Sequence, residues 1–173
     1  LKVSDKIVAR GSIFTNNGEV LTGNLDVDVS GNIVNTNKIT VVETAKLKGN
    51  SINNQGTVAA NNIELTTPVL SNSGQILASE TIAANNTSLM NTGKLASNSQ
   101  INLNNSSVIN RNTMESTTIN LQNLFFYDNN TGTIRGNNIT LTSAGNLLLE
   151  GKIQGIENLL ISGVDIANNG NTI

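Results

Sequence analysis

Asp26 and Asp28 are the nearest thing in this sequence to a catalytic pair. They stand two residues apart in the run Leu25-Asp26-Val27-Asp28. Two carboxylates flanking a glycosidic bond are the working parts of a glycosidase, one as acid and the other as base or nucleophile. Alternation with Val27 turns both to one solvent face, however, and no arginine is close by in sequence to partner either. Glu115, Glu150 and Asp165 stand isolated. With no His and no Cys in 173 residues, thiol nucleophiles, Ser-His-Asp triads and zinc sites are excluded. Calcium-binding nonapeptides would need a recurring Gly-Gly-x-Gly-x-Asp, which is absent. An ice-binding face would need a regular threonine column, yet Thr22, Thr40, Thr57, Thr66, Thr113 and Thr133 fall at shifting offsets. The sequence predicts no enzyme: no catalytic residue, no metal and no cofactor.

Binding chemistry has one candidate. Leu124-Phe125-Phe126-Tyr127-Asp128 holds three of the four aromatic residues, Phe14 being the fourth. Clustered rings on a polar surface favour interfaces, so Phe125, Phe126 and Tyr127 are the candidate partner-binding residues. Packing alone predicts Leu124 and Phe126 inward, with Phe125 and Tyr127 outside or over a corner. Asn-x-Ser/Thr sequons at Asn85, Asn86, Asn104, Asn105, Asn129 and Asn138 are secondary candidates for glycosylation.

What positions these residues is a repeat of about 19 residues, running through the whole chain. Gly or Asn recurs at Gly18, Asn37, Gly56, Gly74, Gly93, Asn112, Gly132, Gly151 and Gly170. Two residues earlier stand Asn16, Asn35, Asn54, Asn72, Asn91, Asn110, Asn130 and Asn168, with Leu149 breaking the column. Two residues later the position is apolar, from Val20 and Ile39 to Ile134 and Ile153. A fixed period of this length marks a solenoid whose repeats bury their apolar faces only against one another. Within a repeat the apolar residues alternate as in strands, for example Leu95, then Ile101 and Leu103, then Val108. The gaps are too short for crossover helices, and no window carries the helical spacing. The fold class read from this is all-β, a right-handed parallel β-helix of about nine coils.

Each column has a predicted role. The Gly/Asn column predicts a corner with φ > 0, since these are the residues that enter that region readily. The asparagine column predicts a ladder of stacked, inward side-chain amides. Pro68, the only proline, falls in the coil of 18 residues and belongs at a corner or strand start. The aromatic cluster falls in the coil of 20 residues, where the extra residue suggests a bulge. The 32 asparagines suit turns, and the phased apolar column argues against disorder.

Net charge is −2, with charges scattered singly. There is no basic patch for nucleic acid. No polybasic or long apolar run supports membrane insertion of this segment. The pattern starts in mid-repeat at Leu1 and ends in mid-coil at Ile173, so residues 1–173 read as one β-helix segment of a longer array.

The stretches Asn54-Gln55-Gly56-Thr57-Val58-Ala59-Ala60, Asn72-Ser73-Gly74-Gln75-Ile76-Leu77-Ala78 and Asn91-Thr92-Gly93-Lys94-Leu95-Ala96-Ser97 resemble the 19-residue repeats of the filamentous haemagglutinin family. That family comprises large exoproteins of Gram-negative bacteria, adhesins and contact-dependent inhibition toxins among them, exported by two-partner secretion. The resemblance implies a secreted, cell-surface location and an outer-membrane two-partner-secretion transporter as the partner during export. It implies a structural shaft that presents an adhesin or toxin module to other cells. The alternative is a receptor- or glycan-binding module within such an exoprotein, and a polysaccharide-acting enzyme is the third reading.

Overall fold

The computed structural model describes residues 1–172, with the side chains of the last two left aside; Ile173 lies outside the described residues. Parallel strands stack as a β-solenoid of about nine turns, about 19 residues apart, with no helix among them. Three to five residues of strand are marginal alone. Each becomes stable by hydrogen bonding in register to the equivalent strand one coil above and one below. Thus Ile76 pairs with Val58 on one side and Leu95 on the other, and Leu89 pairs with Leu70 and Val108.

Two strand columns form a thirteen-stranded sheet and a third forms a seven-stranded sheet. The first column carries Val20, Ile39, Val58, Ile76, Leu95, Met114, Ile134 and Ile153, all buried. The second supplies paired inward residues such as Ile63 and Leu65, or Ile101 and Leu103, and the third supplies Ile33, Ile52, Leu70, Leu89 and Val108. Three aliphatic stacks converge on one narrow core. Burying each large side chain contributes about 1.5–3 kcal/mol, and each coil repeats the contribution without needing an aromatic anchor.

Small changes of coil length are absorbed at bends. The coil of 18 residues loses its residue near Asn61. Ile39 and Ala45, six apart, pair with Val58 and Ile63, five apart. Pro68 stands at the following corner, outside the strands Thr57–Thr66 and Val69–Asn72, where its missing N–H breaks no ladder. Its carbonyl still accepts from the Ser88 N–H at 2.8 Å.

The asparagine ladder is present. Six amide-to-amide bonds of 2.7–2.8 Å run from Asn16 through Asn35, Asn54, Asn72, Asn91 and Asn110 to Asn129. The second amide hydrogen goes to a backbone carbonyl in the next coil, such as Thr113 at 3.1 Å from Asn91. Two positions differ from the sequence reading. The seventh rung is Asn129, fully buried, and Asn130 is exposed. An extra residue lies between the rung and the corner glycine, in a turn closed by the Gly132 N–H on the Asn129 carbonyl. Asn168 is exposed and accepts from the Gly170 N–H at 3.2 Å.

The reason for the glycine column also differs. Only Gly151 in that column has positive φ, at 65°. What restricts the column is the coil beneath: a Cβ at Gly56 would sit 1.8 Å from the Asn37 carbonyl oxygen, and one at Gly93 2.0 Å from that of Gly74. Where Asn112 replaces glycine, its side-chain amide donates to the Thr92 carbonyl of the coil beneath at 3.0 Å. The left-handed asparagines stack elsewhere, at Asn86, Asn105 and Asn123, with φ of 56°, 50° and 53°. They turn the chain from the second column into the third.

Candidate functional site

The third column does not run unbroken to the end. Its seven-stranded sheet ends at Phe126–Asp128, while Leu147–Leu149 in the next coil pairs forward with Ile166–Asn168 in a separate two-stranded sheet. Two irregularities flank this break. Leu103 and Val108, five apart, pair with Leu121 and Tyr127, six apart, which is the bulge expected from the long coil. The next coil keeps the longer span, since Leu141, partner of Leu121, and the buried Leu147 are also six apart, with Ala144-Gly145-Asn146 as an exposed corner between them. The other irregularity is the turn from Asn129 to Gly132. At the break Leu149 stands where the ladder needs an amide. The Asn129 amide turns instead to the carbonyls of Gly132, Glu150 and Lys152, at 3.1–3.3 Å.

A cleft of about 420 Å³ lies across this break. Its apolar part is Phe125, Phe126, Leu148 and Ile166, exposed by 74%, 52%, 42% and 48%. The bulge inverts the expected alternation after Leu124. Leu124 is buried and Phe125 exposed, as expected, but Phe126 faces out and Tyr127 faces in beside Val108. The Tyr127 hydroxyl is buried without a hydrogen-bond partner. Burial, and secondarily the charge of Asp128, push its pKa well above the ordinary phenol value.

Carboxylates complete the lining. Asp128 forms a two-pronged ion pair with Arg111 from the coil beneath. Hydrogen bonding to Arg111, opposed by some desolvation, lowers the Asp128 pKa. Glu150 lies near enough to help raise the Arg111 pKa, though the Asp128 hydrogen bond is the main cause. Glu150 and Asp165, isolated in sequence, thus come to one place with the aromatic cluster. Neither forms an ion pair among the described residues. Leu148 and Ile166 could not be singled out in advance, since exposed aliphatics carry no sequence signature until the sheet break is known.

The other candidates go elsewhere. Asp26 meets Arg10 at 2.9 Å and Lys6 at 3.4 Å, and Asp28 meets Lys48 at 3.1 Å. Their partners come from neighbouring coils and not from residues close by in sequence. The Arg10 hydrogen bond, against a smaller desolvation effect, holds the Asp26 pKa down. Glu115 pairs with Arg135 at 3.8 Å. Among the sequons, Asn129 is the fully buried last rung, Asn138 is half-buried and accepts from Asn158 at 2.6 Å, and Asn85, Asn86 and Asn105 are exposed.

A second groove, about 430 Å³, lies over Lys94, Glu115 and Arg135. There Ser116 is buried with its hydroxyl unpartnered. Its counterpart Ser97 accepts from the Ser99 and Gln100 N–H groups and donates to the Glu80 carbonyl. The bend after Ser116 is one residue shorter: Ala96 and Gln100, four apart, answer Glu115 and Thr118, three apart. This orphaned hydroxyl follows from local shortening. No group of three or more carboxylates that could hold a metal ion occurs among the described residues.

Comparison with protein-family models, curated proteins and solved structures gives no match for this chain. The site therefore stands on its own geometry.

Proposed function

We propose that this chain is a structural β-helical shaft of a large secreted bacterial cell-surface exoprotein, holding an adhesin or toxin module away from the producing cell. The observation that carries the reading is the ladder of six amide bonds threading seven successive coils in unbroken register. Each coil adds about 4.8 Å of length and is tied to its neighbours by core, sheet and amide stack together. That construction suits a stiff spacer. The repeat's resemblance to those of the filamentous haemagglutinin family supports the export route and the surface location.

Deletion of Thr57 to Gly93 in the full-length exoprotein tests this. The cut removes two coils and joins Gly56 to Lys94, restoring the Gly93-Lys94 junction. A spacer keeps export and surface display, with the rod shorter by about 10 Å and adhesion or delivery changed only by degree. Folded, surface-displayed protein with all activity gone would refute it. The receptor- or glycan-binding alternative is favoured by one observation, the cleft at the sheet break, which interrupts otherwise regular coils.

A further inference from the structure

We propose that the cleft at the sheet break binds a lysine- or arginine-bearing segment of a protein partner, with apolar residues beside the basic one. The inference rests on the binding-module reading and supplies the chemistry of the partner. Its first support is hydrophobic. Phe125, Phe126, Leu148 and Ile166 converge on one concavity, on a rod whose surface is otherwise mostly amides, hydroxyls and single charges. Covering these four side chains releases water from apolar area, and phenyl rings are enriched in interface cores.

Charge decides the kind of occupant. Three carboxylates, Asp128, Glu150 and Asp165, line the cleft, and a single guanidinium, Arg111, answers them. Asp128 is occupied by Arg111, which leaves Glu150 and Asp165 to meet a cation. Exposed phenyl faces also attract ammonium and guanidinium groups. An anionic or neutral apolar segment satisfies the rings and leaves the acids desolvated, at a cost. The same lining disfavours a glycan. Sugar hydroxyls can donate to the acids, but being neutral they leave the negative charge of Glu150 and Asp165 without a countercharge.

A second copy of the chain is a poor occupant. Seven of its ten Lys and Arg residues are already in ion pairs between coils. A volume of about 420 Å³ lies in the range that holds a drug-sized ligand, which here means a few residues of a peptide.

The test is a heteronuclear NMR titration of the 173-residue chain with acetyl-Leu-Lys-Leu-Arg-Leu-amide. Its neutral counterpart carries norleucine and citrulline in place of Lys and Arg, and maltotetraose serves as a glycan probe. The expected result is saturable shifts at Phe125, Phe126, Leu148 and Ile166 with the basic peptide. The F125S/F126S variant then binds at least about tenfold more weakly, and E150Q/D165N about three- to tenfold more weakly, with melting temperatures unchanged. Equal binding of the neutral peptide, or no peptide binding, overturns the proposal of a basic partner. In that event maltotetraose shifting the same residues preserves the binding-module reading. Silence of all three probes at the cleft removes both.

Discussion

Changing Asn91 to Asp replaces one NH₂ by oxygen in the middle of the ladder and leaves the shape of the side chain intact. In the native rod the Asn91 amide donates to the Asn110 side-chain oxygen at 2.8 Å and to the Thr113 carbonyl at 3.1 Å. The Asn91 oxygen accepts from Asn72 at 2.8 Å. Aspartate keeps the acceptor and loses both donors, so an ionised oxygen faces two acceptors in a fully buried position. The group can escape this by staying protonated. At pH 7 that costs about 4 kcal/mol, since the ordinary Asp pKa of about 3.9 lies roughly 3 units below and each unit is about 1.36 kcal/mol. The protonated acid recovers one donor and forfeits the other, worth about 1 kcal/mol.

The expected loss is therefore up to about 5 kcal/mol at pH 7, falling to about 1 kcal/mol at pH 3.5. The direction follows from linkage. The introduced carboxyl has a folded pKa raised above its unfolded value, so its deficit is smallest below the unfolded pKa. The deficit grows as pH rises until the folded pKa is passed. Urea unfolding followed by circular dichroism, for parent and variant at both pH values, gives the difference directly. The exposed Asn98→Asp serves as control and should stay within about 0.5 kcal/mol of the parent at both. An Asn91→Asp loss that matches the control, or that is the same at pH 7 and pH 3.5, would refute the ladder as a buried, stabilising network.

Gly93→Ala places a Cβ 2.0 Å from the Gly74 carbonyl oxygen and should cost about 3 kcal/mol or more of stability by thermal or urea unfolding. Gly18→Ala, where a Cβ meets nothing within 4 Å, should change little, and equal effects would contradict the crowding argument. Tyr127→Phe removes a buried, unpartnered hydroxyl and should be neutral or stabilising by up to about 1 kcal/mol; a large loss in melting temperature would mean that the hydroxyl has a partner. Asp128→Asn should cost about 1 kcal/mol at pH 7 after allowing for solvent screening. Because the folded Asp128 pKa is depressed, its contribution is present above the ordinary aspartate range and is lost as pH falls through the folded value. A pH-independent effect of Asp128→Asn would count against the ion pair.

The columns were legible in the sequence because a solenoid writes its core at a fixed period. Leu95, Ile101, Leu103 and Val108 could be assigned inward from their spacing alone. Errors arose where coil length changes. Counting back two from Gly132 lands on Asn130, but the added residue lies after the ladder position, so the rung is Asn129. The bulge at Leu124 likewise exchanges Phe126 and Tyr127, since one inserted residue reverses every later side chain on a strand. The glycine column was located correctly and explained wrongly: its constraint is a carbonyl one coil away, which no local pattern reveals. The partners of Asp26 and Asp28 were missed for the same reason, because neighbours in this fold stand 16 to 20 residues apart along the chain. The cleft lies at a break in the third sheet that the sequence does not mark, and Glu150 and Asp165 come to it from later coils, so only its aromatic half was readable.

All six ladder bonds point the same way, each amide nitrogen toward the oxygen one coil further along. A reversed amide would bring oxygen against the next side-chain oxygen and against a backbone carbonyl, so no rung can flip alone. Seven side-chain dipoles are thus locked head to tail, and the rod has an electrical sense along its axis, with oxygen leading at Asn16 and nitrogen trailing at Asn129. Further coils placed before Asn16 would have to present N–H donors, and those placed after Asn129 must offer acceptors. At Leu149 the backbone supplies those acceptors and the vector terminates. Because the coils with Leu147–Leu149 and Ile166–Asn168 follow its nitrogen end, the vector ends inside the shaft. The shaft thus carries a direction inside it even where its surface is monotonous.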